Sequence, residues 1–283
     1  MRTPKVLLLG LALSVLAGCG AAGAGENDPP RAGAAPATSA ASAVASAAPA
    51  PSHVAKSPAS APHAAVPPKA KPAPKKRAKK PAGGPAGSLT RTGRAGVALT
   101  FDDGPDPVQT PRLLDLLKRE HVKATFCVVG RNAAAHPALI RRIAAEGHAL
   151  CNHTWNHSLT LGKKKPSVIR ADLRRTNDAI RRAVPKARIK YMRAPGGNFT
   201  PAFVSVARKM GMKSIYWQVD PRDWEHKRGE SKAAHEKKVV RTVQKRVGRG
   251  AIVLSHDYRQ PGTIAAYRKL IPWLRARYRL IAL

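Results

Sequence analysis

Two histidines lie four residues apart in the stretch CNHTWNH, which covers residues 151–157. This spacing puts His153 and His157 about one helical turn apart, so both imidazoles could face a single point. With a carboxylate oxygen from Asp103 they would supply three ligands to a divalent metal ion and leave other positions open. Three protein ligands are typical of catalytic rather than structural zinc sites. Taken alone, however, two such histidines are more often ordinary core or surface residues.

Asp102 and Asp103 are neighbours in the sequence, so we expect them to do different jobs. One of them can bind the metal while the other accepts a proton from an attacking water molecule. Two carboxylates this close raise the pKa of one of them unless a cation offsets the charge, and Arg193 and the metal are the available cations. Asp-Asp-Gly-Pro is also good turn chemistry, so the pair alone does not distinguish a site from a turn.

The first residues predict export. Arg2 and Lys5 precede an apolar run at residues 6–16, which is too short to cross a bilayer comfortably and is followed by small residues. This is the plan of a secretory signal, and its end, Leu-Ala-Gly-Cys at residues 16–19, resembles the lipobox of bacterial lipoproteins. We therefore expect residues 1–19 to be a lipoprotein-type signal peptide, with Cys19 lipidated and the protein at the outer face of the cytoplasmic membrane. A plain signal peptide and a secreted protein are the alternative.

Residues 20–93 have the composition of a disordered linker. They are mostly Ala, Pro, Ser, Gly and Lys, with too few large apolar side chains to offset the entropy of ordering the chain. The formal net charge of +35 is shared between this segment and the rest of the chain, and it favours polyanionic partners. For an exported protein these are anionic cell-wall polymers or lipid headgroups, reached through the basic linker, whereas nucleic acid is not expected. A solvated run that only keeps the linker extended explains its charge equally well.

In residues 94–283 short apolar runs alternate with amphipathic segments, and this pattern predicts one α/β domain. Strands are predicted at residues 97–101, 124–129, 148–152, 190–194, 213–219, 251–255 and 278–283. Helices are predicted at residues 110–121, 137–146, 167–183, 201–210, 235–247 and 263–277, with Thr110 capping the first of them. This alternation favours a compact barrel of about seven parallel strands with the helices outside. Such barrels carry their chemistry at the carboxyl ends of the strands.

The residues at those strand ends form a chemically coherent set rather than ordinary loop residues. They are Asp102, Asp103, His153, His157, Arg193, Pro195, Gly196, Gly197, Asp220, Asp223, Trp224 and His256. Four carboxylates, three histidines and one arginine in one place favour a metal site with acid–base groups over surface loops rich in Ser, Gly and Lys.

Five ordered motifs contain these residues. They are Thr-Phe-Asp-Asp at residues 100–103, His-Thr-Trp-Asn-His at 153–157, Arg-Ala-Pro-Gly-Gly at 193–197, Asp-Pro-Arg-Asp-Trp at 220–224 and Leu-Ser-His at 254–256. In this order they resemble the motifs of the NodB-homology polysaccharide deacetylases, carbohydrate esterase family four, over nearly all of residues 94–283. The resemblance implies a distorted (β/α) barrel, removal of acetyl groups from a polysaccharide, and one divalent metal, usually Zn²⁺, with Co²⁺ or Ni²⁺ as alternatives.

The resemblance also implies a role for each motif residue. The metal ligands would be Asp103, His153 and His157. The general base would be Asp102, paired with Arg193, and the general acid would be His256, oriented by Asp223. The acetyl and oxyanion pocket would be formed by Pro195, Gly196, Trp224 and Leu254. The backbone N–H of Gly196 would stabilise the oxyanion. The family commonly has Tyr at this position, so a ring that could contact the sugar is missing and the substrate preference stays open.

Four residues keep two interpretations. Cys127 and Cys151 fall on the second and third predicted strands, where they could form a disulfide in an oxidising compartment or remain two buried thiols. Trp155 could stack on a sugar face or pack on the barrel rim. Asp220 could be a hydrogen-bond partner near Arg193 or a cap at the end of its strand.

Three functions are compatible with these residues. The preferred one is a monomeric, metal-dependent N-deacetylase of an envelope polysaccharide, above all of peptidoglycan N-acetylglucosamine. An O-acetyl esterase on xylan, or a deacetylase of chitin oligosaccharides, would use the same site. A non-catalytic basic wall-binding module would predict losses from the metal set or the acid–base pair, and the sequence has none.

Overall fold

The computed structural model describes residues 83–283; the predicted signal peptide, Cys19 and most of the predicted linker lie outside this range. Its strands are β1 (Val97–Asp102), β2 (Thr125–Val128), β3 (Ala149–Asn152), β4 (Tyr191–Met192), β5 (Lys213–Ser214), β6 (Ile252–His256) and β7 (Leu280–Ile281). Its α-helices are α1 (Gln109–Arg119), α2 (Gly130–Ala135), α3 (Pro137–Ala145), α4 (Pro166–Ala183), α5 (Pro201–Lys209), α6 (Lys232–Arg246) and α7 (Pro261–Arg275). No helix in this range is both long enough and apolar enough to cross a membrane.

The strands form one curled parallel sheet. Their order is β5-β4-β3-β2-β1-β6, with β7 beside the first half of β1. The ladders between these strands are all parallel. Beyond β5 the chain returns to β6, where Val219 bridges Val253, so the sheet curls towards closure. The predicted distorted barrel of about seven parallel strands is confirmed.

The strand β1 lies at the centre of the site-bearing end. All six of its residues are buried, as expected for a parallel strand covered on both faces. At its last position Asp102 lies opposite Cys127 of β2 and opposite His256 of β6. The register of three strands therefore brings the first and last motifs of the sequence side by side.

Helix α1 begins one residue before its predicted start and has a different cap. Thr110 lies inside the helix and does not cap it. The Oδ1 atom of Asp106 accepts the backbone N–H groups of Val108 at 2.8 Å and Gln109 at 2.7 Å, which is the work of a helix cap. The Thr110 hydroxyl is thereby free to donate to the buried carboxylate of Asp257, which follows β6.

The folded domain starts earlier than residue 94. The backbone N–H of Leu89 donates to Ser214 and its carbonyl accepts from Tyr216, while Thr92 donates to Gly250. Residues 83–93 therefore belong to the domain, and the predicted linker boundary at residue 93 is wrong. The same pairing explains why β5 ends at Ser214 instead of residue 219: the chain there leaves β4 and pairs with the incoming segment and then with β6. Helix α2 was not predicted, because six residues are too few for a helical apolar pattern.

Cys127 and Cys151 are bonded to each other in the structure. They are register partners on neighbouring strands β2 and β3, with Cα atoms 4.1 Å apart, and both side chains are fully buried. Of the two interpretations left open by the sequence, the structure has the disulfide rather than two free thiols.

Candidate active site

A cavity of about 550 Å³ opens at the carboxyl end of the sheet. The residues that line it are Asp102, Asp103, His153, His157, Leu159, Gly196, Tyr216, Trp217, Asp220, Arg222, Trp224, Leu254 and His256. Nine of these were singled out from the sequence, and the fold brings them to one cavity. Arg193, Pro195 and Asp223 are buried behind the cavity wall, where they support residues that line it.

Asp103, His153 and His157 face one another closely enough to hold a metal ion. The Oδ1 atom of Asp103 lies 3.2 Å from Nε2 of His153 and 3.1 Å from Nε2 of His157. This oxygen is buried and has no hydrogen-bond donor, as expected for an atom whose partner is a cation. On His153, the Nδ1 atom lies 2.8 Å from the carbonyl oxygen of Arg193, so Nδ1–H donates there and Nε2 is left for a metal. The donor set therefore fits a divalent metal.

The two histidines meet in a loop and not on a helical turn as the spacing suggested. The segment between β3 and the following 3-10 turn is irregular, and His157 adopts a left-handed backbone with φ 58°. Asp103 is left-handed as well, with φ 74°. Such conformations are costly for residues other than glycine, and they are typical of functional sites where the surrounding structure fixes a side chain.

Charge in this group favours the ionised carboxylate. Burial raises the pKa of Asp103, but the close approach of the His153 ring and the nearby charges of His153, His256 and His157 outweigh it, so the pKa lies well below the usual range. The buried His153 has a raised pKa, because the Asp102 and Asp103 carboxylates more than offset the effect of burial. A metal cation at this point would supply the positive charge that the carboxylates attract.

Asp102 is held by a buried arginine. Arg193 is completely buried; its Nη1 donates to Oδ1 of Asp102 at 2.6 Å, and its Nη2 donates to the carbonyl of Tyr216 at 3.0 Å. The other carboxylate oxygen of Asp102, Oδ2, lies 3.6 Å from Nε2 of His153. One oxygen is thus fixed by the guanidinium while the other faces the metal-ligand group.

His256 and Asp223 form a second pair across Asp102 from the histidine loop. The Nδ1 atom of His256 donates to Oδ1 of Asp223 at 2.9 Å, so Nε2 is the nitrogen available to the cavity. The same carboxylate accepts the backbone N–H of His256 at 2.8 Å and the hydroxyl of Thr263 at 2.6 Å. Burial lowers the pKa of His256, but the charge and hydrogen bond of Asp223 and the charges of Asp103 and Asp102 raise it to about 9. The imidazole is therefore protonated at neutral pH, as a general acid must be.

Asp223 is also fixed from behind by residues that the sequence reasoning missed. His235 of α6 is buried, and its Nε2 donates to the carbonyl of Asp223 at 2.9 Å, while its Nδ1 lies 3.0 Å from Oε2 of Glu230. His226 stacks on the His235 ring with a centroid distance of 4.0 Å. These histidines and Glu230 are close enough for a metal, but the nitrogen of His235 that faces Asp223 is already used. These residues were missed because a single polar residue inside or before a helix belongs to no sequence motif that would indicate contact with Asp223.

Gly196 lies at the exposed tip of a 3-10 turn, Pro195–Gly197, with φ 59°. The two hydrogen bonds of this turn are donated by Gly197 and Asn198, which leaves the N–H of Gly196 out of the turn. A Cβ atom at Gly196 would come within 3.1 Å of the Leu159 side chain. Gly196 lines the cavity, so its backbone lies at the cavity wall.

Aromatic side chains form the outer wall of the cavity. Trp224 is 44% exposed and lies under the guanidinium of Arg222, 4.7 Å from its ring centroid. Tyr216 and Trp217 stack at 3.8 Å. This pair was missed because it lies inside residues 213–219, which were predicted as a strand, and not after a strand end. Leu254 is nearly buried at the cavity floor.

Two open interpretations are settled by position. Trp155 packs against the hydrophobic core under Arg175, 3.8 Å from the ring centroid, and does not line the cavity. Asp220 accepts the N–H of Arg222 at 2.7 Å, so it caps the turn that follows Val219, and the partners of Arg193 are Asp102 and Tyr216 instead.

Comparison with known proteins places the chain in a family. The sequence model described as polysaccharide deacetylase matches residues 90–215. A chitooligosaccharide deacetylase of Bradyrhizobium sp. (strain ANU 289) is 38% identical over 199 residues, which are 66% of this chain and 87% of that protein. A crystal structure of a peptidoglycan N-acetylglucosamine deacetylase matches with a TM-score of 0.62 at 32% identity, over 69% of this chain and 90% of that chain.

The fold alone does not establish activity. A CE4 family pseudoenzyme from Bacillus anthracis has a TM-score of 0.61 and 26% identity, over 68% of this chain and 66% of that chain. In this chain the Asp, His and Arg residues of all five motifs are present, and those of the metal group, the base and the acid meet at one cavity. The chain belongs to the polysaccharide deacetylase family, carbohydrate esterase family four.

Proposed function

We propose that the protein is a metal-dependent N-deacetylase of an envelope polysaccharide, with peptidoglycan N-acetylglucosamine as its substrate. One observation carries this proposal: a single cavity contains the Asp103–His153–His157 group and His256, with Asp102 between them. The cavity therefore combines a site for a divalent metal, a carboxylate base and a protonated imidazole.

The metal would be held by Asp103, His153 and His157, the three side chains whose free ligand atoms face one another. When bound, Zn²⁺ would act as a Lewis acid that polarises the acetyl carbonyl and makes water easier to deprotonate. The buried Oδ1 atom of Asp103, which has no hydrogen-bond donor, supports this assignment.

Asp102, Gly196 and His256 each act at one step of the hydrolysis. Asp102, oriented by Arg193, accepts a proton from the water that attacks the acetyl carbon. The N–H of Gly196 donates to the carbonyl oxygen as negative charge develops on it. The Nε2 of His256 gives its proton to the amide nitrogen as the carbon–nitrogen bond breaks, which releases acetate and a free amine.

Sugar binding is supported by the outer wall of the cavity. Trp224 is exposed and its ring is available for contact with a pyranose face, on which aromatic rings commonly pack. The cavity is open to solvent along this wall, which suits an internal residue of a long glycan. Chitin oligosaccharides and peptidoglycan both carry N-acetylglucosamine, and the predicted export and anchoring at Cys19 favour peptidoglycan as the polymer within reach. Removal of acetyl groups from peptidoglycan would leave free amines and make the wall more cationic.

The substrate is tested by acetate release from three polymers: purified peptidoglycan, chitin oligosaccharides and acetylated xylan. We expect release from peptidoglycan with Zn²⁺ present, and loss of release in Asp102→Asn, which removes the base and keeps the side-chain size. Release from chitin oligosaccharides alone would change the proposed substrate to chitin oligosaccharides and leave the proposed N-deacetylation unchanged. Release from xylan alone would contradict the N-deacetylase assignment and make the protein an O-acetyl esterase.

A further inference from the structure

A second cavity, of about 640 Å³, opens at the opposite end of the sheet. It is lined by Arg94, Ala95, Gly96, Arg249, Arg277, Tyr278, Arg279 and Ile281. We call this cavity the arginine cleft. Its four arginines are exposed, and no carboxylate is among its lining residues. Within residues 83–283, none of the four guanidinium groups forms an ion pair.

The topology explains why these arginines meet. Arg94 precedes β1, Arg249 precedes β6, and Arg277 and Arg279 precede β7. Both β6 and β7 pair directly with β1 in parallel, so the segments before the three strands converge at one edge. Residues far apart in sequence are thereby gathered at the amino end of the sheet, away from the catalytic cavity.

The backbone that carries the arginines is firmly held. The hydroxyl oxygen of Thr92 lies 3.0 Å from the carbonyl oxygens of both Arg94 and Gly96 and accepts the N–H of Arg94 at 3.1 Å. The N–H of Gly250 donates to Ala95 at 3.1 Å, and a Cβ atom at Gly250 would come within 2.6 Å of the Arg94 carbonyl oxygen. The segments before β1 and β6 are thus locked together, with a glycine required at their closest approach.

One of the four side chains is also fixed in place. The guanidinium of Arg277 lies 4.3 Å from the ring centroid of Trp273, and its Nη1 donates to the Trp273 carbonyl at 3.1 Å. Stacking of this kind orders the planar group and reduces the entropy lost when it binds an anion. Four like charges held together repel one another unless an anion occupies the space between them.

We propose that the arginine cleft binds a linear polyanion with repeating phosphate groups and holds the enzyme on it while the catalytic cavity faces away. Guanidinium groups match phosphate geometry through paired N–H donors, and four of them suit several phosphates in series better than one. A flat membrane surface is the less suitable ligand, because apolar side chains usually accompany basic ones in such surfaces. The large exposed apolar residues of the described domain are Leu89, Val108, Leu159, Val168 and Trp224, and none lines the cleft.

The proposal is tested with short-chain inorganic polyphosphate as the probe and the full chain as the protein. The double variant Arg249→Gln/Arg279→Gln removes two cleft charges whose side chains make no hydrogen bond within the described residues 83–283. Arg181→Gln/Arg182→Gln is the matched control: it removes the same charge from exposed arginines at the end of α4. Because the basic linker is identical in all three proteins, its contribution cancels in the comparison.

We expect the cleft variant to bind polyphosphate roughly tenfold more weakly than wild type at low salt. The slope of log affinity against log salt should also fall by about 2, while the control changes neither. Polyphosphate should protect Arg249 and Arg279, but not Arg181 and Arg182, from an arginine-directed dicarbonyl reagent, as read by peptide mass spectrometry. Acetate release from a small soluble substrate should be equal in all three proteins, which separates this site from the catalytic one.

Two results would overturn the proposal. Equal loss of affinity in both double variants would mean that only overall charge is sensed. Protection of Arg249 and Arg279 by phosphatidylglycerol vesicles, but not by polyphosphate, would assign the cleft to a membrane surface instead.

Discussion

Asp223→Asn should move the alkaline limb of the pH–activity profile to lower pH. In the wild type His256, the proposed general acid, has a pKa of about 9, so the protonated form is present below that pH and is lost as pH rises through it. Burial opposes protonation, and the charge of Asp223 and its hydrogen bond are the strongest effects in favour of it. Removing that charge should return the pKa to near or below the ordinary value of 6.5, a fall of about two pH units or more.

The assay is kcat/KM for acetate release measured from acid to alkaline pH. Thr263→Val is the matched control, because it removes one 2.6 Å hydrogen bond to the same carboxylate and no charge. It should lower activity modestly and leave the alkaline limb close to pH 9. An alkaline limb that stays near pH 9 in Asp223→Asn would refute the assignment of His256 as the acid that Asp223 tunes.

Three further predictions follow from buried groups. Arg193→Met leaves the buried carboxylate of Asp102 without its partner, so the free energy of unfolding should fall by about 3–5 kcal/mol in urea titrations. A loss well under about 1 kcal/mol would contradict this pairing. His157→Ala should abolish tight binding of one Zn²⁺ per chain in calorimetry, whereas His226→Ala should keep it; the reverse result would move the metal to the other histidine group. Replacing Cys127 and Cys151 by Ala should lower the free energy of unfolding by about 3 kcal/mol, because the disulfide closes a loop with a sequence separation of 24 residues. Peptide mapping without reductant should find the two cysteines linked in the wild type.

The sequence was sufficient to predict the positions of the proposed catalytic groups because these residues lie at strand ends. A parallel strand signals itself by a short apolar run, and the residue after it must lie at the carboxyl edge of the sheet. Asp102, His153, Arg193 and His256 could all be located by this rule, and the structure brings them together.

The parts that were missed depend on tertiary pairing. The strand β5 ends at Ser214 because Leu89 pairs with the residues that follow, and nothing in residues 213–219 signals that exchange. Tyr216 and Trp217 fell inside that predicted strand and were not recognised as site residues, although they line the cavity. The hydrogen bonds of Thr263 and His235 to Asp223 could not be predicted from the sequence either, because each is a single contact between a helix and a loop.

Metal dependence is the most direct test of the central claim. The protein is dialysed against a chelator, its metal content is measured, and acetate release from peptidoglycan is followed as Zn²⁺ is added back. We expect no release from the metal-free protein and complete recovery at one Zn²⁺ per chain, whereas Asp102→Asn should bind the metal and remain inactive. Full activity in protein shown to be free of metal would contradict the account, because Asp103, His153 and His157 would then have no catalytic role.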